Sequence, residues 1–86
     1  MKYLVVMFAS RNDTLTFYNI IKKYNQFCSI VNTPHSLSRS CGISIKIGYN
    51  LISTSIKIIA SNHFESFKGI FEIDISNLKN IPKKIY

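Results

Sequence analysis

The sequence predicts an α+β domain in which two helices cover one face of a four-stranded antiparallel sheet. Three observations predict it. Tyr3 to Phe8 is an unbroken apolar run rich in β-branched residues, as suits a central strand covered on both sides. Thr14, Phe17, Tyr18, Ile21 and Tyr24 recur at helical spacing, with Asn19, Lys22 and Lys23 on other faces. Ile43, Ile45 and Ile47 alternate with Ser44 and Lys46 at the period of a strand.

The elements follow in order. After the first strand, Ser10, Asn12 or Asp13 has the side-chain oxygen that caps a helix, and Asn25-Gln26 close it. A second strand runs from Phe27 to Val31 and holds Cys28, a small buried hydrophobe in such a setting. Pro34 ends it, because Pro has no N–H for a ladder. Leu37 anchors the connection that follows, and Gly48 ends the third strand. Residues 50–61 fit two periods. Leu51, Ile52, Ile56 and Ile59 make a helical face capped by Asn50, yet Ser53, Thr54 and Ser55 are weak helix formers and Ser55 to Ile59 also reads as a strand. A helix is expected, since it buries the same apolar set and completes a second strand-helix-strand half. Asn62, His63 and Glu65 form a solvated loop. The last strand, Lys68 to Ile75, turns Phe71, Ile73 and Ile75 to the core and Glu72 and Asp74 outward. Residues 1–76 make one domain, and 77–86 a basic tail with room for a short extra strand.

The order β-α-β-β-α-β is the split arrangement of ferredoxin-like domains, with strand order 4-1-3-2. It brings the end of the first strand, the end of the second and the start of the third to one end of the sheet. The first helix begins there too, at Ser10, Arg11 and Asn12, where backbone N–H groups and the helix dipole favour negative charge.

Composition narrows the function. With 86 residues the chain is one small domain. A net charge of +7 invites nucleic acid or an acidic partner. The lysines are scattered, however, with doublets only at Lys22-Lys23 and Lys83-Lys84, and the Lys, Ile and Asn bias is what an AT-rich genome produces. A dedicated nucleic-acid interface is not expected. Cys28 and Cys41 make neither a disulfide framework nor a metal site, and no cofactor motif is present. Cysteine used this way suits a reducing cytoplasm. Tyr3 to Ala9 is too short for a membrane span, and Ser10-Arg11-Asn12-Asp13 follow at once, so a buried strand is expected there rather than a signal peptide.

Chemistry gathers between the second and third strands, at Thr33-Pro34-His35-Ser36-Leu37-Ser38-Arg39-Ser40-Cys41-Gly42. A plain hairpin needs about two to five connecting residues, and this connection is longer. A thiolate is stabilised by nearby cations and backbone N–H donors. Arg39 and His35 supply the cations, Ser40 and Gly42 flank Cys41, and Gly42 lets backbone approach an anion closely. Cys41 is the expected functional atom, and Ser10, Arg11 and Asn12 complete the expected anion site.

The opening strand and helix, with Pro34-x-x-x-Ser38-x-Ser40-Cys41-Gly42, resemble a family of short bacterial proteins described as selenium/sulfur carrier-like. The resemblance covers most of residues 3–75. It implies that Cys41 holds sulfur or selenium, received from a donor such as a cysteine desulfurase and passed to an acceptor protein. The residue after the Pro is commonly Arg in that family and is His35 here, a cation that titrates near neutral pH. Three other readings compete. A small sulfurtransferase or reductase would use Cys41 as nucleophile and His35 as base, but no acid stands in the loop to orient that His. An RNA-binding module would need aromatic residues on the open face of the third strand, which offers Ser44 and Lys46. A homodimer would form through the open sheet face if Leu4, Val6 and Phe8, or else Tyr3, Val5 and Met7, leave apolar surface there.

Overall fold

Five consecutive residues, Leu4 to Phe8, are buried in the first strand, β1 (Lys2–Phe8). Successive side chains of a strand point to opposite faces, so an unbroken apolar run needs cover on both. The computed structural model describes residues 2–24, 28–33, 42–74 and 82–86. After β1 come α1 (Arg11–Ile21), β2 (Ser29–Asn32), β3 (Ile43–Ile47), a 3₁₀ turn at Tyr49–Leu51, α2 (Ile52–Ser61), β4 (Phe67–Asp74) and β5 (Lys83–Lys84). The strands lie side by side as β2-β3-β1-β4-β5, and every neighbouring pair is antiparallel.

The sheet thus has five strands where four were expected. β5 falls in the stretch expected as a basic tail and has no apolar alternation to announce it. Backbone hydrogen bonds hold this end of the chain on β4: Ile85 N–H donates to the Ile70 carbonyl at 2.8 Å and Ile70 N–H to the Tyr86 carbonyl at 3.3 Å. Gly69 permits the approach. Its φ is +144°, and a Cβ there would stand 3.0 Å from the Tyr86 carbonyl oxygen.

Both helices lie on one face. Leu4, Val6 and Phe8 share a core with Phe17 and Ile21 of α1, Ile45 and Ile47 of β3, and Leu51, Ile58 and Ile70. Cross-strand pairing sets Tyr3, Val5 and Met7 opposite Ile73, Phe71 and Gly69 on the other face. Val5 and Met7 are buried and Tyr3 is half-buried, so the chain itself covers the apolar positions considered for a dimer. The sides assigned to the last strand are corrected accordingly. Ile70 joins the helical core, whereas Phe71 and Ile73 turn to the second face, because β4 borders a strand that is buried on both. Glu72 is half-buried and accepts the Tyr49 hydroxyl at 2.7 Å.

The helices depart from expectation at their ends. α1 stops at Ile21, with the Lys22 N–H bonded to the Tyr18 carbonyl at 3.0 Å. Tyr24 therefore leaves the apolar stripe and stands 66% exposed. Residues 52–61 are helical, as favoured, but Asn50 caps nothing and lies within the 3₁₀ turn that leads into α2. Weak formers adopt the helix because it buries Ser55 and Ile58 beside Leu51, and tertiary burial outweighs propensity. Its far end is satisfied by Asn62, whose Nδ2 donates to the Ile58 carbonyl at 2.9 Å.

Ser55 is fully buried, and among the described residues its Oγ has no hydrogen-bond partner. An orphaned buried hydroxyl costs about 1–3 kcal/mol, and Ala is the better helix former. Ser55→Ala is expected to stabilise the domain by about 1 kcal/mol, raising Tm by about 4–8 °C in a domain of this size. A thermal melt of the two proteins checks it, and a lowered Tm would mean that the hydroxyl has a partner.

Candidate functional site

The site is built where β1 ends. Ser10 leaves the strand in extended conformation, φ −99° and ψ 132°, and its Oγ accepts the Asp13 N–H at 3.3 Å. This is an N-cap of the ordinary kind. The Ser10 carbonyl accepts the Thr14 N–H at 3.1 Å and the Thr14 hydroxyl at 2.9 Å. Ser66, just before β4, fastens this turn from the other side. Its hydroxyl donates to Asp13 Oδ2 at 2.5 Å and accepts the Ser10 N–H at 3.1 Å. Its N–H also reaches Asp13 Oδ2, at 3.2 Å, and its carbonyl accepts the Ala9 N–H at 2.8 Å.

Two consequences follow for the expected anion site. Ser10 is engaged through both its hydroxyl and its N–H. Asp13 brings a carboxylate into the first turn, where it complements the helix dipole. Among the described residues no acceptor meets the backbone N–H groups of Arg11 and Asn12, and both residues are exposed. The sequence offered Asp13 only as one possible cap of this turn, and Ser66 not at all. The spacing Ser10-x-x-Asp13, a capping-box pattern, was the signal for Asp13. Nothing local points to Ser66, which lies 53 positions away.

The loop itself is framed by its roots. Thr33 N–H donates to the Gly42 carbonyl at 2.9 Å, and the Thr33 and Ser44 hydroxyls are 2.7 Å apart. Gly42 has φ +95°, a left-handed conformation that by itself asks for glycine, and no described residue comes within 4 Å of a Cβ position there. β3 pairs Ile45 with Val6 and runs antiparallel to β1, so it begins at the end where β1 finishes and α1 starts. The roots of the loop and the first turn of α1 thus share one end of the sheet. Cys41, Arg39, His35 and Ser40 lie outside the described residues, as do Pro34 and Leu37.

Cys28 precedes β2 and is buried against the helical core, as expected. Burial pushes its thiol above the ordinary 9.0, against smaller opposing effects of a backbone hydrogen bond and the Lys22 charge. A thiol held neutral is a poor nucleophile. His63 is exposed, as expected of a solvated loop. Among the described residues no cluster of three His, Cys, Asp or Glu is placed to hold a metal, and no helix is long and apolar enough to cross a membrane.

Taken together, these elements define an α+β domain with an antiparallel sheet, one end of which bears the roots of a cysteine-containing loop beside a helix N-terminus. The family model described as "Putative Se/S carrier protein-like" matches residues 2–72, and the chain belongs to that family. No curated protein and no solved structure matches the chain.

Proposed function

We propose that the chain carries sulfur or selenium as a persulfide-type group on Cys41. The family match carries this reading, because residues 2–72 span the whole Cys41 loop. Two features of the chain support it. The loop roots stand beside the α1 N-terminus, and the other cysteine is buried with a raised pKa. The strand order and antiparallel pairings favour a ferredoxin-like βαββαβ unit, with β5 as an addition on the β4 side.

The exchange is balanced and needs no oxidant. The Cys41 thiolate attacks the terminal sulfur of a donor persulfide, a new S–S bond forms, the donor's S–S bond breaks, and the donor thiolate leaves. An acceptor thiolate then attacks the terminal sulfur, and Cys41 departs as thiolate. Arg39 provides a fixed cation for the anionic cargo and His35 a titrating one. The setting is a reducing cytoplasm, the donor a cysteine desulfurase, and the acceptor another protein. A carrier reaction of this kind ends when the loaded chain is spent.

Loading by a cysteine desulfurase, followed by mixing with an acceptor thiol, tests the reading. Transfer of one sulfur per chain, then arrest, is expected; continued turnover with a small-molecule acceptor would indicate a sulfurtransferase instead. Arg39→Ala is expected to slow loading at every pH. His35→Ala is expected to slow it only towards acid pH, below the ordinary imidazole value of about 6.5. Equal effects at all pH would refute the titrating cation while leaving Cys41 in place.

A further inference from the structure

β2 forms one edge of the sheet among the described residues, and its backbone phase can be read. Thr33 is hydrogen-bonded to Gly42, and the register continues as Asn32↔Ile43, Val31↔Ser44, Ile30↔Ile45 and Ser29↔Lys46. In an antiparallel ladder bonded and non-bonded positions alternate. Thr33, Val31 and Ser29 therefore bond towards β3, and the N–H and C=O groups of Ile30 and Asn32 point outward. No described strand pairs with them.

The two edges of the sheet differ in protection. The β5 edge has Pro82 before it and consists of Lys83 and Lys84, the charges and proline that normally guard an edge. β2 is Ser-Ile-Val-Asn, uncharged, without proline and in regular register, and Ile30 is 41% exposed. The carboxylates lie away from the β2 edge, whereas lysines stand at both edges. Of the four carboxylates, Glu72 and Asp74 lie on β4, Glu65 just before it, and Asp13 is bound to Ser66. Near β2 stand cations instead: Lys46 opposite Ser29, Lys22 close enough to act on the Cys28 thiol, and Lys23 next to it in the same turn.

We infer that the β2 edge is a docking strand for an acidic, extended segment of a partner protein, which adds to the sheet through the outward backbone groups of Ile30 and Asn32. Main-chain bonds supply the affinity of such a strand, and the alternate side chains and charges supply its selectivity. A second copy of this chain fits less well, since it would bring two +7 molecules together at their carboxylate-free side. The docked strand would lie directly beside the root of the Cys41 loop at Thr33. The inference rests on β2 alone and holds whatever Cys41 carries.

The probe is a capped synthetic peptide alternating Glu and Val, with a Lys-Val peptide as control, added to the full chain under amide hydrogen exchange. The acidic peptide is expected to protect the Ile30 and Asn32 amides, with little change at Val31, which already bonds to β3. Asn32→Pro removes an outward N–H without touching the β2–β3 ladder and is expected to weaken binding about tenfold. Ile30→Glu, which keeps the backbone and adds repulsion, is expected to weaken it as well. The inference is overturned if the acidic peptide does not bind, if the Lys peptide binds equally, or if neither variant changes affinity. It is also overturned if the two amides are already protected in a concentration-dependent way without peptide, since a second copy would then occupy the edge.

Discussion

Phe8→Ala is expected to leave the domain close to unfolding at room temperature. Phe8 has no exposed surface, and its ring meets Phe64 at 5.1 Å, Phe17 at 5.4 Å and Phe67 at 5.6 Å between centroids, all in tilted geometry. It thus joins β1 to α1, to the segment after α2, and to β4. Truncating a buried Phe to Ala costs about 3–5 kcal/mol through lost burial and a cavity. Aromatic pairs add about 0.5–1.5 kcal/mol each beyond area. A domain of 86 residues has about 4–13 kcal/mol in all, so the loss rivals the total. Phe8→Leu, which keeps most of the volume, is expected to cost about 1.5 kcal/mol. Urea unfolding of the three proteins measures both effects. Equal stability of the Ala variant and the parent would show that the core is not organised around this ring.

Phe8 also illustrates what the sequence makes legible. The run ending at Phe8 announces a central strand, and the alternation at Ile43 to Ile47 announces β3, because in both the apolar period is set by burial. Residues 50–61 carried two periods at once. Packing of Ser55 and Ile58 against the sheet decided between them, and that is not a local property. β5 was legible only as room for a short extra strand in the basic tail, since two lysines held by main-chain bonds have no side-chain pattern. The faces of β4 were misjudged for a related reason: alternation says which residues share a side, not which side meets the helices. At the site, the common sheet end of α1 and the loop roots followed from element order alone. The Ser66 clamp on Asp13 did not, because it joins segments far apart in sequence.

The two cysteines give the account its sharpest contrast. The raised pKa of Cys28 means that the folded state holds that proton more tightly than the unfolded chain does. The stability tied to the neutral thiol is complete below the ordinary 9.0 and is lost as pH rises through the raised value. At neutral pH Cys28 therefore presents less thiolate than an ordinary cysteine, as well as being buried. Cys41, on a loop with Arg39 and His35 and rooted beside the α1 N-terminus, is expected to present more. Cys41→Ser should accordingly abolish loading, whereas Cys28→Ser should load like the parent.

The most direct measurement is peptide-mapped mass spectrometry of the chain after incubation with a cysteine desulfurase and cysteine at neutral pH, with Cys41→Ser and Cys28→Ser treated alongside. The account predicts one added sulfur on the peptide containing Cys41, none on that containing Cys28, and no loading of Cys41→Ser. Sulfur found mainly on Cys28, or loading that survives Cys41→Ser unchanged, would contradict it.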